Sequence, residues 1–289
     1  MPEGALREGR AFFIGVSRSA FHRRPMAATE RWHERTLQDG EWLCASFGNL
    51  TLVVLSILEE WRVAPLYGGQ CACLNEAKMP PDDLPWQRWD RGEKDVKLRF
   101  RPAFPDRPVI IRPRSPLNLS PRAKAMFYVG IPAFIELTAH SEGQYEVLHS
   151  WPSDPPSNTW HGTPISGTLC YSVKTRARRQ YVPEDWQEMS IISTLEIANT
   201  GSHMLPFERL FFETGHLGVF EHQGRLWANH ARIRTGEKDD SLSGVVFGSK
   251  PFGEAANAVA LSQPRLGRVR RSMLKEAFST FLGVTHPHD

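Results

Sequence analysis

The chain lacks the common signatures of catalysis and nucleotide binding. It has no G-x-x-x-x-G-K-[ST] phosphate loop, no G-x-S-x-G elbow, no G-x-G-x-x-G fingerprint and no H-E-x-x-H helix. Those absences remove the commonest nucleotide-binding and hydrolase families, though not every enzyme. Cysteine is scarce as well. Four thiols, with Cys71 and Cys73 one residue apart and no paired C-x-x-C, make no disulfide framework for 289 residues, so a reducing, cytoplasmic setting is expected. Charge of one sign is missing too: 35 basic against 32 acidic residues leave +3, too little for a global pull toward nucleic acid or an acidic membrane. No apolar run is long enough to span a bilayer. The longest, Leu50 to Leu58, is closed by Glu59-Glu60 and reads as a buried strand. Met1 to Gly15 carries Glu3, Arg7, Glu8 and Arg10 with no apolar core, so no secretory signal is read there.

What the chain does have is punctuation. Glycine and proline number 22 each, which favours many short elements over long helices. Residues 1–40 are polar and basic, with loops and short elements expected. Glu41 to Tyr67 is strand-like around a Gly48-Asn49 turn, and 75–95 reads as a Pro-rich linker containing Met79-Pro-Pro-Asp-Asp-Leu-Pro-Trp86. From Val96 the β signal is steady, through Val109-Ile110-Ile111, Ala125 to Ile131, the alternating Phe134 to Ala139, and Gly167 to Thr175. Ser190 to Asn199 is apolar on both faces, as in a strand covered on two sides. Gly201-Ser-His-Met204 reads as a turn, and Leu217 to Trp227 as a hairpin with Gln223-Gly224 at its tip. No βαβ alternation is visible. One helix is expected at the C-terminal end, where Ser272 can cap and Met273 or Leu274, Ala277, Phe278, Phe281 and Leu282 form a stripe. The expected fold is all-β: two antiparallel sandwich-like lobes with a short C-terminal helix. Its divisions fall at 1–95 (N-terminal strands and linker), 96–182 and 183–289.

Few residues carry chemistry. Trp160 and His161 share a loop-to-strand joint with Gly162, and a histidine there can act as acid or base near neutral pH. Asp154 and Ser157 lie just upstream, but no orienting partner can be named. The structural reading, that Trp160 plugs a core and His161 bonds the loop, is favoured. Lys174, Arg176 and Arg178 fall on one face of an extended segment, where they can meet phosphates or acidic partners; edge charges that block aggregation explain them as well. Cys71 and Cys73 can offer two thiolates to a soft metal, yet no nearby ligand completes a zinc set. His216, His222 and His230 crowd the hairpin region and read as surface residues. No metal and no cofactor is expected.

Taken together, Arg114-Ser-Pro-Leu117, Phe127-Tyr-Val129, Asn158-Thr-Trp-His-Gly162, Gly167-Thr-Leu-Cys-Tyr171 and Leu226-Trp227 resemble a family of archaeal and bacterial domains, number 432 in the domain-of-unknown-function series. The resemblance runs from about residue 45 to 283 and implies a prokaryotic source. It implies no activity and carries over no site residue. The function expected is a non-enzymatic binding or assembly module for an unknown protein or small-molecule partner. The alternative is a small-molecule or carbohydrate-active enzyme with a site around Trp160 and His161.

Overall fold

The structure is a computed structural model that describes residues 22–24, 26, 30–68, 79–92, 96–175, 177–235 and 242–266. Cys71, Cys73, Arg176 and the helix expected after Ser272 lie outside the described residues.

The described residues form an all-β protein, broken only by single 3-10 turns such as Pro183–Asp185 and Gly253–Ala255. The strands open with β1 (His22–Arg23), β2 (Glu41–Phe47), β3 (Leu50–Ile57), β4 (Glu60–Tyr67), β5 (Gln87–Asp90), β6 (Lys97–Ala103) and β7 (Val109–Ile111). They continue with β8 (Leu117–Leu119), β9 (Lys124–Pro132), β10 (Phe134–Ser141), β11 (Gln144–Pro152), β12 (Ser157–Gly162) and β13 (Gly167–Ser172). Next come β14 (Ser190–Asn199), β15 (Leu205–Phe207), β16 (Leu210–Phe212), β17 (Val219–His222) and β18 (Arg225–Ala228). The last three are β19 (Ala231–Thr235), β20 (Leu242–Phe247) and β21 (Val259–Ser262). They fall into two compact units, one holding residues 1–100 and 138–148, the other 101–137 and 149–289. The chain passes between the units within β6, β10 and β11.

The first unit contains a sheet ordered β1-β2-β3-β4-β5. β3 is buried at every residue, which is why the longest apolar run of the chain sits at its centre. Gly48 turns β2 into β3 with φ 64°, and the Asn49 side chain accepts the Gly68 N–H at 3.1 Å. Trp42, Val53, Leu55, Ile57, Ala64 and Leu66 make a core cluster, against which Met79, Leu84 and Trp86 pack. The Pro-rich stretch therefore contributes side chains to this core and, in β5, an edge strand paired to β4.

In the second unit β14 is the centre of a seven-stranded sheet. β9 runs antiparallel along one of its edges, from the pair Ser190–Pro132 to the pair Ala198–Lys124. β18 and β19 share the other edge, both parallel to β14. Nine of the ten β14 residues are buried, as expected of a strand whose two faces are both apolar. Asn199 closes it: its amide donates to the carbonyls of Leu119, Ser120 and His203, and its Oδ1 accepts the Gly201 N–H. The turn at Gly201-Ser-His-Met204 is thereby fixed. Gln223 and Gly224 both have positive φ, giving the two-residue hairpin between β17 and β18. A four-stranded sheet, ordered β12-β13-β7-β16, completes the frame of the site.

Candidate functional site

The site is built where β9, the start of β14 and the base of the β12–β13 hairpin come together in the second unit. β13 ends at Ser172, earlier than the sequence suggests, because the next residues pair on two sides. Thr175 Oγ1 accepts the Arg112 N–H at 3.1 Å, the Gly130 N–H bonds the Thr175 carbonyl at 3.2 Å, and Arg178 exchanges two backbone bonds with Tyr128. Lys174 and Arg178 thus lie on a connecting segment, past the end of the strand. After it, Pro183–Asp185 makes a 3-10 turn that delivers Trp186 into a cluster with Ile192, Phe220 and Trp227. Arg225 holds this turn by donating to the carbonyls of Trp186 (2.9 Å) and Pro183 (3.2 Å).

These segments enclose a cleft of about 320 Å³ whose wall includes Asp154, Ser157, Ser172, Lys174, Gln187 and Ser190, with Gly130 and Trp186 alongside. Trp186 is only 7% exposed. Its ring lies so close to Gly130 that a Cβ on that residue would sit 2.8 Å from Cε3. The Arg178 guanidinium stands 5.9 Å from the Trp186 ring and pairs with Asp185, which also lines the cleft. Asp154 and Lys174 are exposed, and among the described residues neither forms an ion pair. The wall thus offers two carboxylates, Asp154 and the Arg178-paired Asp185, with one ammonium, three hydroxyls and a carboxamide beside a fixed indole.

Trp160 and His161 do not share a site. They are consecutive on β12 and point to opposite faces. Trp160 is 53% exposed and its indole N–H donates to the Thr163 carbonyl at 2.9 Å. His161 is 8% exposed, with its ring 5.2 Å from that of Phe211. The three hairpin-region histidines are also apart. His216 bonds the Leu266 carbonyl, while His230 bonds Thr194 and packs on Phe252. Burial pushes the His230 imidazole below its ordinary range. Among the described residues no three His, Cys, Asp or Glu side chains gather as a metal set.

Two constellations had no sequence signal. In the first unit, Glu34 accepts the Tyr145 hydroxyl at 2.6 Å and lies 3.1 Å from His140 Nδ1, with Lys97 Nζ at 3.9 Å. The Tyr145 bond, aided by His140 and Lys97, holds the Glu34 carboxyl below its usual range. These residues come from three separated stretches, so no spacing reveals them. The cleft is the other case: Asp154, Lys174 and Asp185 flank it, and although the sequence marks Asp154 and Lys174 separately, nothing in it joins them.

A family model described as "Protein of unknown function (DUF432)" matches residues 31–282. The chain belongs to this family. The match covers the cleft, the β12–β13 hairpin and the Glu34 cluster, and it brings no activity or ligand with it. No curated protein and no solved structure matches the chain. Among the described residues no helix is long and apolar enough to cross a membrane.

Proposed function

We propose that the protein is a non-enzymatic binding module, and that the Trp186 cleft receives a small polar molecule bearing both hydrogen-bond donors and acceptors. One observation carries this reading: Asp154 and Lys174, each without an ion-pair partner among the described residues, line a preformed concavity. A charge that no described residue neutralises is available to a ligand, and the cleft volume is at the lower end of that of small-molecule sites. The hydroxyls of Ser157, Ser172 and Ser190 and the Gln187 carboxamide add neutral donors and acceptors, which suits a hydroxylated or zwitterionic solute of sugar or amino-acid size. The catalytic alternative needs Trp160 and His161 on one side of a cleft. Their opposite orientations on β12 give it no support.

The test is an NMR titration with D-glucose, glycerol, L-serine and glycine betaine as probes. At least one should shift the Trp186 indole resonance together with residues 154–157 and 172–174. Lys174→Ala and Asp154→Asn should each weaken that probe about tenfold, or about 1.4 kcal/mol. Both should leave thermal stability within about 0.5 kcal/mol of wild type, since both side chains are exposed. If no probe shifts these residues, or if the shifts survive both substitutions, the reading falls.

A further inference from the structure

The outer edge of β12 carries a second property, independent of the cleft. Among the described residues β12 is the terminal strand of its sheet. Its register with β13 runs without a bulge from the pair Ser157–Ser172 to the pair Gly162–Gly167. The direction of its backbone groups follows from one bond: the Tyr171 N–H donates to the Pro108 carbonyl, away from β12. In a strand the N–H and C=O of one residue point to the same side, so Tyr171 and its partner Asn158 form a non-hydrogen-bonded pair. Asn158 must therefore aim its own N–H and C=O outward. By the two-residue period, Trp160 and Gly162 do the same. All three are exposed.

Natural edges of this kind are guarded by charges, prolines or bulges. The residues of Ser157–Gly162 include none of these, and the charge that meets the strand's side chains is the Arg107 guanidinium, which donates to Asn158 Oδ1 at 3.1 Å. The strand instead presents an apolar face, because Trp160 stands opposite Leu169 and both are exposed. The indole is set in place. Its N–H is held by the Thr163 carbonyl, and its ring rests on Gly167, where a Cβ would lie 2.5 Å from Cε2. An exposed aromatic already fixed in its rotamer loses little entropy when it is covered.

We propose that β12 is a self-association edge, and that its occupant is β12 of a second copy of this chain, aligned antiparallel about a two-fold axis through Trp160. That register sets Trp160 opposite its own counterpart and Asn158 opposite Gly162 of the copy. All three pairs are of the hydrogen-bonded kind, giving about six backbone bonds across the edge. The strand is self-complementary because it carries no charge to oppose itself, and the two Trp160–Leu169 faces merge into one apolar strip. An edge of six residues is small beside the surfaces that hold obligate dimers, so the dimer is concentration-dependent, with a dissociation constant of roughly 10–100 µM.

The experiment uses the full chain. Sedimentation velocity from about 5 to about 500 µM should show wild type passing from monomer to dimer. Trp160→Lys and Trp160→Glu should each stay monomeric, since like charges then face each other across the axis. An equimolar mixture of the two should regain the dimer at or beyond wild-type affinity. Hydrogen exchange gives a measurement without substitutions: the amides of Asn158 and Trp160 should exchange at least about tenfold more slowly at the high concentration, while those of Thr159 and His161 are protected at both. A wild-type chain monomeric throughout overturns the proposal. So does a dimer that survives Trp160→Lys, a mixture that stays monomeric, or exchange at Trp160 that ignores concentration.

Discussion

Gly130→Ala is the sharpest test of how the cleft is built. Gly130 lies in β9 opposite Ile192, and the Cβ of an alanine there would fall 2.8 Å from Trp186 Cε3 and 2.9 Å from Cζ3. Gly130 does not need left-handed backbone, so the penalty in the folded state is steric alone. The indole has little room to retreat. Ile192, Phe220 and Trp227 surround it, Arg178 stands over its ring, and Arg225 fixes its carbonyl. Overpacking of this kind costs about 1–3 kcal/mol. Alanine recovers about 0.5–1 kcal/mol over glycine in a strand, by restricting the unfolded chain. The net loss is about 1 kcal/mol, which lowers the melting temperature by roughly 2–4 °C in a domain of this size. Scanning calorimetry reads the shift, and tryptophan emission should move to the red as Trp186 is pushed toward water. Gly244→Ala in β20 is the matched control, because no atom lies within 4 Å of its Cβ position and its backbone is ordinary. That variant should melt at or slightly above wild type. If Gly130→Ala melts no lower than Gly244→Ala, the packing of Trp186 on Gly130 is wrong.

Three further predictions follow from single interactions. Arg225→Leu strands the carbonyls of Trp186 and Pro183 and should cost about 1–3 kcal/mol by chemical denaturation; an unchanged midpoint would mean that the Pro183–Asp185 turn needs no clamp. Because the folded Glu34 carboxyl titrates below its ordinary 4.5, the stabilisation from its cluster is complete above that pH and is lost as the pH falls through the lower, folded value. Tyr145→Phe removes the largest cause and should raise the Glu34 midpoint in a carboxyl-carbon NMR titration; a midpoint that stays put refutes the assignment. Burial pushes the Cys170 thiol up to about 11, so iodoacetamide at about pH 8 should leave Cys170 unmodified in the native protein and alkylate it in denaturant, as read by peptide mapping.

The all-β class was legible because its cause is local. Gly48-Asn49 and Gln223-Gly224 are turns by the chemistry of φ > 0, and both occur where their residues demand. Ser190 to Asn199 shows apolar residues on both faces and is indeed buried on nearly all of them. What the pattern could not show was which strands become neighbours. β14 takes β9 on one edge and both β18 and β19 on the other, and those partners are set by packing between segments 30 or more residues apart. The same limit hid the cleft. Lys174 stands out in the sequence as one of a run of basic residues, with nothing to separate it from Arg178. In the fold their situations are opposite: Asp185 neutralises Arg178, while Lys174 is left beside Asp154 with no counterion among the described residues. Trp160 and His161 were legible as a pair only because they are adjacent. In an extended chain adjacent residues send their side chains to opposite faces. A strand-borne site is better sought at i and i+2, or between residues that only the sheet register brings together. Asp154 and Lys174, 20 positions apart at the two ends of one hairpin, are of that second kind.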